Sequence, residues 1–353
     1  MPGVAGEDRA PRGLGTTGVR LTQLGYGSSG LGELFVQVSD RQAQATLEAA
    51  WNAGVRYFDT APYYGHGLAE HRVGDFLRGV PRDEFVVSTK VGRLLRRPRD
   101  PGNPMRGPWC GGLPFEHDFD YGYAGVRRSL EDSLQRLGLD RVDLLLIHDL
   151  DLLHHDDDAG VAARLDELSG GGWRALVELK AEGVIRAIGA GVNLAPMMPR
   201  LLDRFELDFF LVALPYTLLD QRVLDLEFPL CVERGIGVII GAVYASGILA
   251  TGAVPGATYA YGPAAPEVMA RVAAIERVAQ RHRISLRAAA LQFPLAHSAV
   301  ASVIPGAITP EEASQNAEAL RESVPAAFWE ELKADGLLRA DAPVPPSARP
   351  LDR

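Results

Sequence analysis

"GYAGVRRSLEDSLQRLGLDRVDLLLIHD", residues 122–149, sets two periodicities back to back. Val126, Leu130, Leu134 and Leu137 recur at spacings of three and four, the apolar stripe of an amphipathic helix. The pattern then changes to four consecutive apolar residues, Leu144 to Ile147, closed by His148 and Asp149. A strand that is apolar at successive positions is covered on both faces, as in a parallel sheet with helices packed outside it.

The same unit recurs along the chain. β-rich runs stand at "LTQLGYG" (21–27), "VRYFDT" (55–60), "FVVSTKVG" (85–92), "VDLLLIHD" (142–149), "IRAIGAGVN" (185–193), "DFFLVAL" (208–214), "GVIIGAVY" (237–244) and "AVASVIPGA" (299–307). Helical patterning fills the gaps, as in "DRQAQATLEAAWNAG" (40–54). Eight βα units predict an α/β fold, a (β/α)8 TIM barrel with extended βα loops over its C-terminal face; an open doubly wound sheet more often has fewer strands. No Pro/Ser-rich linker interrupts the pattern, so one domain is expected over residues 13–340. Residues 1–12 are read as a disordered N-terminal tail and 341–353 as a Pro-rich C-terminal tail. "GLGTTGVR" (13–20) is expected to form a small hairpin across the barrel bottom. Two connections, 93–121 and 149–172, exceed the minimal repeat, and the first is long and rich in Pro and Gly, as expected of a segment covering a site.

Of the 353 residues, 47% are apolar and 23% charged, a globular composition. The net charge of −9 argues against nucleic acid as partner, because a phosphate-binding face needs clustered Lys and Arg. No apolar run is long enough to span a bilayer, and the N-terminus lacks a signal-peptide core, so a cytoplasmic location is expected. Cys110 and Cys231 suggest neither a disulfide framework nor a zinc site. "HHDDD" (154–158) invites a metal, but consecutive ligands on an acidic loop seldom close a coordination sphere, and no metal is expected. "GYGSSGLG" (25–32) lacks the G-x-G-x-x-G spacing of a dinucleotide loop; its glycines, Gly25 and Gly27 among them, are read as opening backbone access to the site mouth.

In such a barrel the reactive groups lie at the C-terminal ends of strands. Asp59 ends the second predicted strand, Lys90 the third and His148 the fourth, with Tyr64 in the loop after the second. A free phenol titrates near pH ~10, and a neighbouring ammonium is expected to lower that value. Asp59 would keep Lys90 charged and oriented, and His148 would position a substrate oxygen. This is proton-transfer machinery for a carbonyl/alcohol pair, which needs a hydride carrier.

"YFDTAPYYGHGLAEHRVGDFL" (57–77), "STKVG" (88–92) and "LLLIHDLD" (144–151) resemble signatures of the aldo-keto reductase superfamily, and the likeness runs from about residue 13 to about residue 335. The resemblance implies Asp59, Tyr64, Lys90 and His148 as catalytic residues. Tyr64 is implied as the acid/base, with Tyr64 and His148 also touching substrate. Tyr63 and Trp109 are read as further substrate-side residues.

The resemblance also implies a nicotinamide cofactor. "AGVN" (190–193) implies Asn193 on the carboxamide, and "LPYTLLD" (214–220) implies Tyr216 stacked on the ring, although Ala213 replaces a glutamine common in the family. "YASGIL" (244–249) implies Ser246, Gly247 and Leu249 around the pyrophosphate. "IPGAITPEEASQN" (304–316) implies Gly306, Gln315 and Asn316 near the adenosine, with Gly25 and Asp59 among the remaining cofactor contacts. Where NADP-binding members commonly carry Lys or Arg, this chain has Gly306, Ala307, Ile308 and Glu312. A carboxylate repels a 2′-phosphate, so NAD is expected over NADP.

"LPFEHDFDYGYAGVRRSLEDSLQRLGLDRVDLLLIHDLD" (113–151) looks most like the bacterial branch of D-threo-aldose 1-dehydrogenase (L-fucose dehydrogenase), L-galactose dehydrogenase and pyridoxal 4-dehydrogenase. The expected partner is therefore a small-molecule sugar or aldehyde. Oxidation of an L-fucose-type aldose at C1 to the lactone comes first, with pyridoxal oxidation or NADPH-dependent aldehyde reduction as alternatives. A cofactor-binding regulatory subunit is the reading from another class, and nothing in this acidic chain favours it.

Overall fold

Eight parallel strands follow one another around the molecule: β1 (Tyr26–Gly27), β2 (Tyr57–Asp59), β3 (Val86–Val91), β4 (Leu144–His148), β5 (Ala187–Val192), β6 (Phe209–Ala213), β7 (Gly237–Gly241) and β8 (Val300–Ile304), each paired with the next in chain order. The last returns to the first. Gly25 N donates to Val303 O at 2.9 Å and Gly27 N to Pro305 O at 3.1 Å, so the sheet closes into the expected (β/α)8 barrel. The computed structural model describes residues 10–100, 102 and 107–346.

The consecutive apolar runs are explained by burial on both faces. In β4, Leu145 and Ile147 face the helices, whereas Leu144 and Leu146 join Tyr57, Phe209 and Ile239 inside the barrel. The expected bottom hairpin forms between Arg12–Gly13 and Arg20–Leu21, and Leu14, Val19 and Leu21 plug the interior cluster. The packed body extends slightly past the expected limits. Arg12 Nη1 donates to Leu295 O at 2.6 Å, and Ala342 is buried. Residues 1–9 and 347–353 of the two expected tails lie outside the described residues.

Around the barrel lie α1 (Asp40–Asn52), capped by the Ser39 hydroxyl, α2 (Leu68–Leu77), α3 (Tyr123–Leu137), α4 (Asp158–Glu167) and α5 (Trp173–Ala181). Gly138, with φ 65°, ends α3 in the left-handed conformation that glycine adopts without a side-chain clash. No helix among the described residues is long and apolar enough to cross a membrane.

Two hairpins rise above the C-terminal face. The long 93–121 connection pairs Arg93–Arg96 antiparallel with Glu116–Phe119 and carries Trp109 between them. Between β7 and β8, Thr258–Tyr259 pairs with Gly262–Pro263, and the tip residues Ala260 and Tyr261 both hold positive φ.

Candidate active site

Three adjacent strands deliver three of the ionisable groups. β2 ends at Asp59, its neighbour β3 carries Lys90 one residue before its end, and β4 ends at His148. Tyr64 comes from the turn after β2, and that turn is pinned against Gly32. A Cβ at Gly32 would lie 2.5 Å from the Tyr64 carbonyl carbon, and one at Gly65, itself at φ 62°, would lie 2.4 Å from Gly32 O. Only glycine permits this backbone approach, which sets where the phenol ring emerges.

Lys90 Nζ donates to Asp59 Oδ2 at 2.7 Å, to Thr60 O at 2.9 Å and to the Tyr64 hydroxyl at 3.1 Å. An ammonium has three N–H donors, and all three are used. The Tyr64 oxygen therefore accepts from Lys90, leaving its own hydrogen to point elsewhere. Asp59 is further held by Ser88 Oγ at 2.7 Å, which in turn meets the Tyr57 hydroxyl at 3.0 Å.

Burial pushes the Asp59 carboxyl above its usual range, with Lys90 and Ser88 pulling against it. The Tyr64 pKa moves opposite to the sequence expectation. Burial, reinforced by Asp59 and Asp149, raises it well above that of a free phenol, and Arg93 only opposes the rise. The ammonium of Lys90, itself paired with Asp59 at 2.7 Å, does not reverse that rise.

His148 is buried edge-on to Tyr64, with ring centroids 5.7 Å apart. Burial lowers its pKa well below the usual imidazole value, with Asp149 opposing, so the ring is neutral near pH ~7. Its Nε2 lies 3.2 Å from Asp149 Oδ2. Asp149 is also paired with Arg93 at 3.1 Å and accepts from Asn193 Nδ2 at 3.0 Å. Burial alone would raise the Asp149 carboxyl; His148, Arg93 and His154 outweigh it and hold the group below the ordinary range.

These groups stand at one end of a cavity of about 840 Å³, large enough for a dinucleotide and a small substrate together. Its wall includes Asp59, Tyr64, Lys90 and His148 as well as Ser246, Arg287 and Glu312. A family model described as the aldo/keto reductase family matches residues 23–335.

The chain belongs to the aldo/keto reductase family.

Its relatives sharpen that placement. It is 42% identical to a pyridoxal 4-dehydrogenase of Microbacterium luteolum, covering 93% of this chain and 97% of that one. It is 41% identical to a D-threo-aldose 1-dehydrogenase of a Pseudomonas species, over 89% and 94% of the two chains. An L-galactose dehydrogenase of Arabidopsis thaliana is 31% identical over 88% of each. Among solved structures, an aldo-keto reductase from Bacillus halodurans in its holo form superposes with a TM-score of 0.72 at 26% identity, covering 95% of this chain and 98% of that one. The protein is thus an oxidoreductase of the aldo/keto reductase family.

Of the positions singled out in sequence, Asp59, Tyr63, Tyr64, Lys90, Trp109, His148, Asn193, Ser246, Gly247 and Gly306 line the cavity of this aldo/keto reductase. Five others do not. Tyr216 is fully buried among Phe228, Phe293 and His297, turned away from the site. Gly25 lies inside the barrel against Tyr57 and Ile304, and Leu249 is packed in the core while Ala250 and Thr251 reach the wall. Gln315 faces solvent. Asn316 is buried behind the wall, where its Oδ1 accepts from the Tyr244 hydroxyl at 2.7 Å and from Arg287 at 3.2 Å.

The cavity fits the nicotinamide dinucleotide that an aldo/keto reductase implies. Gly191, Ala213, Gly241 and Ala242 leave part of the wall without bulky side chains, which suits a flat ring. Ser246, Gly247, Arg287 and Glu312 line the same cavity. Arg287 Nη1 donates to Asn316 Oδ1 at 3.2 Å, and the Glu312 carboxylate accepts from Ile308 N at 2.8 Å.

Several residues in or behind the cavity wall were not legible in sequence. Arg93, in the Pro-rich 93–121 connection, is buried between the rings of Tyr63 and Phe119, 4.3 and 4.9 Å from their centroids. Tyr261, at the second hairpin tip, reaches Asn193 Oδ1 at 3.5 Å. The "HHDDD" run divides: His154 turns to the cavity, His155 packs on Phe119, and Asp157 caps α4. Asp149, Asp151 and His154 bring ligand-type atoms within 4.8 Å of one another, but Arg93, Asn193 and the Leu153 amide already engage the carboxylates.

Proposed function

We propose that this enzyme oxidises the cyclic hemiacetal of an aldose, of the L-fucose or D-threo type, at C1 to the lactone, using NAD. Bound NAD supplies the hydride acceptor. The chain supplies the proton path: Tyr64 takes the hydroxyl proton, His148 positions the same substrate oxygen, and the Lys90–Asp59 pair holds the tyrosine in place. Asn193 holds the carboxamide, and Ser246, Gly247 and Gly306 follow the rest of the cofactor.

One observation carries the reading. Lys90 spends its last donor on the Tyr64 oxygen, so the tyrosine faces a substrate oxygen with a proton that it can give or, once ionised, recover. The 41% identity to a D-threo-aldose 1-dehydrogenase supports the aldose, and Glu312 in the cavity wall supports NAD.

Pyridoxal is the second reading. It is favoured by the 42% identity to a pyridoxal 4-dehydrogenase and by the apolar mouth, where Phe35, Val36 and Leu153 are exposed beside Trp109 and suit an aromatic ring. Cofactor reduction by purified protein with L-fucose, D-arabinose, L-galactose and pyridoxal, each with NAD and NADP, separates the two. NAD-linked turnover of a sugar is expected. Turnover of pyridoxal alone would replace the first reading with the second, and NADPH-linked reduction of simple aldehydes alone would contradict both.

A further inference from the structure

Asp149 is a carboxylate in the cavity wall that the proton path does not use. It is 8% exposed and lies next to His148, the residue assigned to the reacting oxygen. Its backbone is left-handed, φ 48°, a conformation that aspartate tolerates better than most residues. Four groups fix it: Arg93 at 3.1 Å, His148 Nε2 at 3.2 Å and His154 Nε2 at 3.5 Å on Oδ2, and Asn193 Nδ2 at 3.0 Å on Oδ1.

The distribution is uneven. The Arg93 guanidinium and two imidazole nitrogens crowd Oδ2, and a single amide donates to Oδ1, whereas each carboxylate oxygen has room for about two hydrogen bonds. A charged acceptor with spare capacity, held rigidly beside the reaction centre, is the group that recognises a substrate hydroxyl. Arg93 supports this placement, because its guanidinium is clamped between two aromatic faces and pairs with Asp149.

We propose that Asp149 is a specificity-determining residue that accepts a hydrogen bond from the hydroxyl on the carbon adjacent to the reacting hemiacetal carbon, and that Arg93 is its positioning residue. The proposal rests on the aldose reading above and deepens it. In a cyclic aldose this hydroxyl is the one on C2, neighbouring the C1 oxygen held by Tyr64 and His148. Pyridoxal carries its nearest hydroxyl one carbon further out and would not reach Asp149 in the same pose.

The test compares L-fucose with its 2-deoxy analogue in wild type, Asp149→Asn and Arg93→Lys. Wild type should prefer the parent sugar in kcat/KM by about 100-fold, since a site built around a hydroxyl penalises its absence. In Asp149→Asn that preference should shrink below about tenfold, mainly through loss on the parent. Arg93→Lys keeps the charge without the planar clamp, and should raise KM for the parent by more than for the analogue. Equal use of both sugars by wild type would overturn the proposal, and this arm needs no variant to fold. An equal fall on both sugars in Asp149→Asn would also overturn it, because Asp149 would then act only through His148. Absence of aldose oxidation altogether would contradict the functional reading and remove this proposal with it.

Discussion

Lys90 Nζ lies 3.1 Å from the Tyr64 hydroxyl oxygen, and it reaches that oxygen with the last of its three donors. The remaining two are committed to Asp59 and to the Thr60 carbonyl, so the ammonium has no freedom to swing away. Replacing Lys90 by Met should therefore do two separable things. It leaves a buried carboxylate unpaired, which should destabilise the fold by about 3–5 kcal/mol. It also removes the group that orients Tyr64, and kcat should fall by about 100-fold or more. Adding Asp59→Asn should recover much of the stability and none of the rate; thermal melts and steady-state kinetics on the three proteins check both halves.

The raised Tyr64 pKa fixes the sign of the pH dependence. To take a proton from a substrate hydroxyl the residue must be ionised, and burial with Asp59 and Asp149 nearby keeps the phenolate scarce at neutral pH. The kcat for oxidation should rise steadily from neutral into alkaline pH, while kcat for the reverse reduction, which needs the phenol, stays level and falls only as the raised pKa is approached. Rates measured in both directions on folded protein decide the matter. An oxidation rate that declined between neutral and alkaline pH would remove Tyr64 from the proton path.

Gly32 controls where Tyr64 stands. A methyl there would press on the Tyr64 carbonyl carbon at 2.5 Å, with backbone on both sides and no flexible side chain to yield. Gly32→Ala should cost about 1–3 kcal/mol of stability and lower kcat more than it changes cofactor affinity, as melting and fluorescence titration would show.

The proposed preference for NAD rests on Glu312, which lines the cavity together with Arg287. Glu312→Lys removes the repelling carboxylate and adds a cation beside Arg287. The NAD-to-NADP preference in kcat/KM should then move toward NADP by about tenfold or more. An unchanged ratio would mean that the 2′ position of the cofactor lies elsewhere.

The eight strands were legible because they recur as short β-rich runs, several of them apolar at consecutive positions, and the barrel interior and the helical shell both demand such residues. Asp59, Lys90 and His148 were legible for the same reason: each lies at or beside the C-terminal end of its strand. What was missed depends on side-chain direction or on partners distant in sequence. Tyr216 follows β6 by three residues, but the backbone turns its ring toward Phe228 and Phe293, and no local pattern announces that turn. Arg93 reads as one of several arginines in a Pro-rich loop; its burial depends on Asp149, Tyr63 and Phe119, which other segments bring to it. The Arg93–Arg96 and Glu116–Phe119 strands pair across a connection of about twenty residues, beyond the reach of any hairpin turn signal. Tyr261 reaches the site from a tip held at positive φ by two consecutive non-glycine residues, where the sequence alone predicts no turn.

The most direct test of the central claim is NAD reduction by wild type and by Tyr64→Phe with L-fucose, alongside titration of NAD binding to both proteins. The account predicts a loss of kcat of about 1,000-fold or more in the variant with NAD affinity nearly unchanged, because only the proton acceptor has been removed. Turnover in Tyr64→Phe within a few-fold of wild type would contradict it.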